Sequence, residues 1–238
     1  MARKPRQAPT IDRVAEQLVD QARAHGQEAH LVLPPAAAAT LLLGTGDLHE
    51  HLLRGIAASD DPVDMLQQLF AVQARCLPYL TGVLDPLVDR LGRGSRDGVK
   101  RSIAGMRNVL ADARLPELVE TPGVAGDLLG PIYSLITSQA VRSAQGAFYT
   151  PPSVATLMAL LGDVQHADSF SDPCCGSGGL AIATVRAMRR AGRRPELVRW
   201  HLQDIDPLAV ALAGVQLAAH GMPLVTLRCC NSLTDESS

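Results

Sequence analysis

Residues Asp172 to Gly179 read Asp-Pro-Cys-Cys-Gly-Ser-Gly-Gly, a composition suited to bringing main chain against a small ligand. Gly176, Gly178 and Gly179 carry no Cβ, so backbone amides there can approach a bound molecule closely, with Pro173 and Ser177 completing the turn. The spacing is Gly-x-Gly-Gly behind an acid. A turn that rests a pyrophosphate on a helix N-terminus uses Gly-x-Gly-x-x-Gly, whereas Asp172 at a strand end suits an ammonium group better than phosphates. An ordinary glycine-rich turn would account for such a cluster standing alone. It does not stand alone, because 32 residues after Asp172 the run Gln203-Asp204-Ile205-Asp206-Pro207 places a second acid at the tip of a second strand. In a nucleoside-binding βαβ unit that position accepts hydrogen bonds from ribose hydroxyls, and Asp204 is the candidate. Asp206, directly before Pro207, reads as the cap of the next helix.

The elements that must hold these residues follow from periodicity. Short strands are expected at Ser169–Asp172, Val198–Gln203 and Val225–Cys229, separated by helices over Gly179–Ala191 and Pro207–His220. That order, β-α-β-α-β, is the first half of a doubly wound parallel sheet. Before residue 140 the texture is helical: Ile11–Ala24, Pro62–Cys76, Leu80–Leu91 and Val99–Ala113 repeat apolar residues at three- and four-residue intervals. The chain therefore divides into a helical N-terminal domain, 1–140, and a sheet-containing part, 141–238. Pro62 suits an early helical position behind a Ser or Asp cap. Trp200 is expected in the core under the second strand.

Composition bounds the rest. At 238 residues and 47% hydrophobic content the chain can bury a core, and with 3% aromatics that core is mostly Leu, Val and Ala. Its 22 basic and 24 acidic side chains nearly cancel, so there is no chain-wide field for nucleic acid. Arg186, Arg189, Arg190 and Arg193 share a helical face, which is usually a solvated one. The five cysteines include the adjacent pairs Cys174-Cys175 and Cys229-Cys230, which lack zinc-knuckle spacing and fit reduced thiols of a cytoplasmic protein. The seven histidines show no metal spacing, so no metal is expected. Arg3, Lys4 and Arg6 precede no apolar core, so no signal peptide is read at the N-terminus. Leu31–Leu43 is apolar but short and contains Pro34 and Pro35, too broken to cross a bilayer.

Upstream of the glycine turn, Gly146-Ala147-Phe148-Tyr149-Thr150-Pro151 ends 21 residues before Asp172. The two segments in this order resemble the N6-adenine DNA methyltransferases of the type I restriction-modification kind, sharply over about Asp127–Asn231 and vaguely before. The resemblance implies a Rossmann-like methyltransferase sheet binding S-adenosylmethionine. It implies that Phe148, Tyr149 and Thr150 close over the methionine end, that Asp172, Pro173, Gly176, Ser177 and Gly178 form the glycine loop, and that Asp204 is the ribose acid. Leu128 to Tyr133 resembles the helix leading from a helical region into the family's cofactor domain.

Two departures bear on activity. Where the family commonly places an acid near the cofactor adenine, this chain has Asn231, whose amide can still donate or accept. No Asn-Pro-Pro-aromatic tetrapeptide or close variant occurs; the only double prolines are Pro34-Pro35 and Pro151-Pro152. That tetrapeptide supplies acceptors that localise the lone pair of a poorly nucleophilic adenine amine and an aromatic that stacks on the flipped base. The expectation is a cofactor-binding part truncated before its catalytic motif, inactive alone, meeting DNA through a fuller complex. The first strand is expected as an open edge, to be covered by a second subunit, by a homodimer or by the N-terminal helices. Other readings compatible with the residues are a non-catalytic module that binds S-adenosylmethionine and a methyltransferase for a non-DNA substrate.

Overall fold

The computed structural model of the chain describes residues 11–25, 29–43, 51, 55–56, 58–93, 96–97, 100–101, 127, 129–137, 150–162, 167–234 and 236–237. The expected division near residue 140 falls outside them, as does nearly all of the expected helix Val99–Ala113.

Five helices with described bounds contribute to the N-terminal layer. In α1 (Ile11–His25), Val14, Ala15, Leu18 and Val19 form one buried stripe. α2 (Ala29–Leu42) runs straight through Pro34 and Pro35, although each proline removes an amide from the helical ladder. Its compensation is burial on all sides, from Val32 to Leu41, and Thr40 Oγ1 donates to Ala36 O at 2.8 Å inside that core. The two prolines that argue against a membrane span thus lie inside a buried helix. α3 (Pro62–Cys76) begins as its sequence dictates: Asp61 caps it by accepting from the Asp64 amide at 3.1 Å, and Pro62 occupies the first turn. The expected helix Leu80–Leu91 is instead a 3₁₀ turn, Pro78–Leu80, followed by α4 (Asp85–Arg93). Gly82 at φ +75° breaks the run, because a left-handed residue cannot continue a right-handed helix. α5 (Leu129–Ile136) buries Leu129, Ile132 and Tyr133.

α6 (Pro152–Leu161) leads to the sheet part: β1 (Ser169–Asp172), α7 (Gly179–Arg190), β2 (Arg199–Asp204), α8 (Pro207–Ala219), β3 (Val225–Asn231) and a two-residue β4 (Glu236–Ser237). β1, β2 and β3 pair in parallel in that order, Phe170 opposite Trp200 and Trp200 opposite Val225. β4 closes the far edge, antiparallel to β3. The fold is therefore α/β, a helical layer joined to a Rossmann-like β-α-β-α-β sheet.

Side chains alternate along β2: Trp200 and Leu202 are buried while Arg199 and His201 are exposed. The buried face meets α7 and α8 in a core of Ile182, Val185, Met188, Ala213, Leu217 and Trp200. Trp200 is wholly buried, its ring centroid 5.1 Å from that of Phe170 and its Nε1 donating to Pro195 O. The opposite face of α8, with Leu208, Ala211, Leu212 and Val215, belongs to the same core as α1 to α5. α8 is sandwiched between sheet and helical layer, which is why its sequence is apolar all round. Among the described residues no helix is long and apolar enough to cross a membrane.

Candidate functional site

The turn from β1 into α7 is shaped by its own side chains. Asp172 Oδ1 accepts from the Cys174 amide at 3.1 Å, bending the chain immediately after the strand. Gly176 and Gly178 then take φ +53° and +94°, conformations in which a Cβ is strained. The Cys175 amide donates to Gln203 O at 2.9 Å, which docks the loop on β2. Asp204 completes the attachment, because its Oδ2 accepts from the Gly176 amide at 2.8 Å while Oδ1 accepts from the Asp206 amide at 3.0 Å. Asp206 caps α8 through Leu208 N at 2.9 Å, as its place before Pro207 suggests, and also accepts from the Tyr133 hydroxyl of α5. Burial lowers the pKa of Arg90 on α4, and the charge of Asp206 opposes that shift.

These residues surround a cavity of about 570 Å³, in the range of small-molecule sites. Thr150, Asp172, Pro173, Gly176, Ser177, Asp204 and Asn231 all line it. Gly178 stands behind the loop, where an added Cβ would lie 3.2 Å from Ala213 Cβ. Phe148 and Tyr149 lie outside the described residues. Asn231, at the end of β3, accepts from the Leu233 amide at 3.0 Å, turning the chain over the mouth, and Ser232 Oγ lies 3.6 Å from Cys174 Sγ.

The electrostatics of the cavity are one-sided. Among the described residues that line it the charged ones are all acids: Asp127, Asp172, Asp204 and Asp206. Burial, and to a lesser degree the charge of Asp204, raise the pKa of the Asp172 carboxyl, while the hydrogen bond donated by the Cys174 amide opposes that shift. Burial together with Asp204 and Asp172 also pushes the Cys175 thiol far up, so it stays protonated and unreactive. A pyrophosphate would find no cation among the described residues that line the cavity. The site suits a ligand bearing positive charge and hydroxyls, and its polar acceptors sit beside an apolar wall of Met158, Leu180, Ile205 and Ala209.

Two polar groups at this site were not singled out in the sequence. Asp127 and Gln216 lie 89 residues apart yet meet at 2.8 Å, and Gln216 Nε2 also donates to Ser177 O at 2.7 Å. The available signal was Gln216 itself, a lone polar residue within the apolar run of α8. Of the arginines expected to share a helical face, Arg193 lies beyond the end of α7; Arg189 donates to His220 O at 2.8 Å and Arg193 to Ala167 O at 3.0 Å, so both brace the fold.

Residues 124–238 match the family model described as N-6 DNA Methylase. Over 98 residues, 40% of this chain and 17% of the relative, the sequence is 32% identical to the type I restriction enzyme MjaIX methylase subunit of Methanocaldococcus jannaschii. Over 170 residues, 70% of this chain and 28% of the relative, it is 27% identical to the MjaVIII methylase subunit of the same organism. The methyltransferase subunit of a type I restriction-modification system from Streptococcus thermophilus superimposes with a TM-score of 0.49 at 18% identity, covering 91% of this chain and 57% of that one. The chain is thus similar to the N-6 DNA methylase family over residues 124–238, just under half of its length. It spans 17% and 28% of the lengths of the two curated relatives it matches.

Proposed function

We propose that the cavity binds S-adenosylmethionine, that residues 141–238 are the cofactor-binding part of a type I adenine-N6 DNA methyltransferase, and that residues 1–140 are its helical platform. The observation that carries the reading is the acid-only lining around a glycine loop, at a volume suited to a nucleoside. The fit has a second support in Ser177, whose hydroxyl is buried and has no hydrogen-bond partner while the residue lines the cavity. When bound, the cofactor would supply a methyl group activated on a positively charged sulfur. Asp204 would hold the ribose hydroxyls, Asn231 the adenine edge, and Asp172 would favour the cationic end. Gly176 and Gly178 would let the loop backbone approach, and the resemblance assigns Phe148, Tyr149 and Thr150 to the cover over the methionine end.

On this reading the chain works in the cytoplasm, meets DNA within a larger assembly, and transfers no methyl group as these 238 residues alone. They contain no Asn-Pro-Pro-aromatic tetrapeptide, so a bound cofactor has no aligned amine to attack it. The same feature favours a second reading, a non-catalytic module that binds the cofactor and regulates a DNA-modification complex.

A covering partner is supported at β1, which pairs only with β2 among the described residues. A second exposed surface lies on α6, which packs Ala155 and Ala159 against Ala183 and Ala187 of α7 but exposes Val154, Leu157, Met158 and Leu161 at helical spacing.

Filter binding with methyl-labelled cofactor and mixed-sequence DNA tests the proposal. Label is expected to stay with the protein and not to appear in DNA. Label in DNA contradicts the inactivity, and no retention contradicts the cofactor assignment.

A further inference from the structure

The acceptor that ties the helical layer to the glycine loop is Asp127, just before α5. Its Oδ1 accepts from the Gly130 amide at 2.7 Å and from Gln216 Nε2 at 2.8 Å. The same Gln216 nitrogen donates to Ser177 O at 2.7 Å. A continuous path of hydrogen bonds thus runs from residue 127, through the middle of α8, into the loop that frames the cavity. Gln216 is 1% exposed, and water does not compete for these bonds.

The surroundings are cut to fit this carboxyl. A Cβ on Gly130 would stand 2.2 Å from Asp127 Oδ2, and one on Gly179 would stand 2.7 Å from it, so the carboxyl lies flush against both backbones. Gly179 is the first residue of α7, directly after the loop. Burial raises the pKa of Asp127, while the bonds from Gly130 and Gln216 oppose that shift.

We propose that Asp127 is a positioning residue for the cofactor site: through Gln216 it fixes the backbone on which Ser177 stands and so presents the unpartnered Ser177 hydroxyl for ligand binding. This rests on the cofactor reading above. Asp127 acts as an acceptor at Oδ1, so an asparagine oxygen can take over both bonds. Alanine cannot, and it removes one of the bonds that hold the Gln216 amide in place against Ser177. Gln216→Leu removes the same link while keeping α8 apolar, and its thermal unfolding midpoint is compared with that of the parent so that loss of the fold and loss of the link are read separately.

The experiment is calorimetric titration of the full chain and its variants with S-adenosylmethionine, reading dissociation constant and stoichiometry separately. Asp127→Ala and Gln216→Leu are expected to weaken binding roughly tenfold at unchanged stoichiometry, as loss of one buried hydrogen-bonded link implies. Asp127→Asn is expected to restore affinity to within about threefold of the parent, since it keeps both acceptor bonds. Parent-like affinity in Gln216→Leu overturns the proposal, as does a fall in stoichiometry with an unchanged dissociation constant, which marks a purely structural role. Asp127→Asn binding as poorly as Gln216→Leu overturns it too. Absence of binding by the parent chain is a different result, which removes the cofactor reading and this role with it.

Discussion

The Gly176 amide donates to Asp204 Oδ2 at 2.8 Å, so the acid at the tip of β2 holds the loop that leaves β1. One side chain therefore shapes the glycine loop through its backbone bonds, and on the proposed reading its remaining lone pairs would accept from ribose hydroxyls. Asp204→Ala is expected to weaken cofactor binding by at least about tenfold, because hydrogen bonds to a charged group contribute roughly 1.5–3 kcal/mol each. Parent-like affinity in that variant, read by calorimetry, would remove Asp204 from the site.

Asp172 makes binding depend on pH. Its carboxyl is raised above the ordinary 3.8 by burial and by Asp204, so the ligand-free fold favours the protonated form and loses stability as pH rises through the raised value. A cation in the cavity favours the ionised form. Affinity for a positively charged ligand is therefore expected to increase as pH rises from 3.8 through that raised value, and Asp172→Asn is expected to flatten the increase. A parent profile that is flat, or that falls with rising pH across this window, contradicts the sign.

Gly178 tests the loop without touching a charge. Its φ of +94° and the 3.2 Å approach of an added Cβ to Ala213 make alanine costly there. The left-handed conformation alone costs about 1–2 kcal/mol, and in a chain of this size each kcal/mol lowers the midpoint by about 2–4 °C. Thermal unfolding of Gly178→Ala is expected to shift down by that amount or more, and an unshifted midpoint would mean the loop is shaped differently.

The stripe on α6 predicts association. Leu157 is 55% and Leu161 78% exposed. Light scattering after size exclusion is expected to show concentration-dependent association of the parent chain. Leu157→Glu combined with Leu161→Lys is expected to abolish it and leave helical content intact, since Ala155 and Ala159 form the packed face. A parent chain that stays monomeric at every concentration argues against this surface as a docking site for a second copy.

Alternation in the sequence made the sheet legible: strand β1 and helix α3 fall where their patterns put them, and β2 and β3 shift by one or two residues at their ends. The loop and Asp204 were legible because their chemistry is local, with glycines and acids at strand ends. What escaped was long-range or compensated. The bond between Asp127 and Gln216 joins residues far apart in the chain, and no local pattern encodes it. Pro34 and Pro35 look like helix breakers until burial on every side of α2 is known. Gly82 was read through as part of a helix because apolar spacing continues across it.

Titration of the purified 238-residue chain with S-adenosylmethionine is the most direct measurement of the central claim. One equivalent bound, with no comparable heat from a dinucleotide carrying a pyrophosphate, is the predicted result. A chain that binds the dinucleotide, or that gives no heat with the methyl donor, contradicts the account.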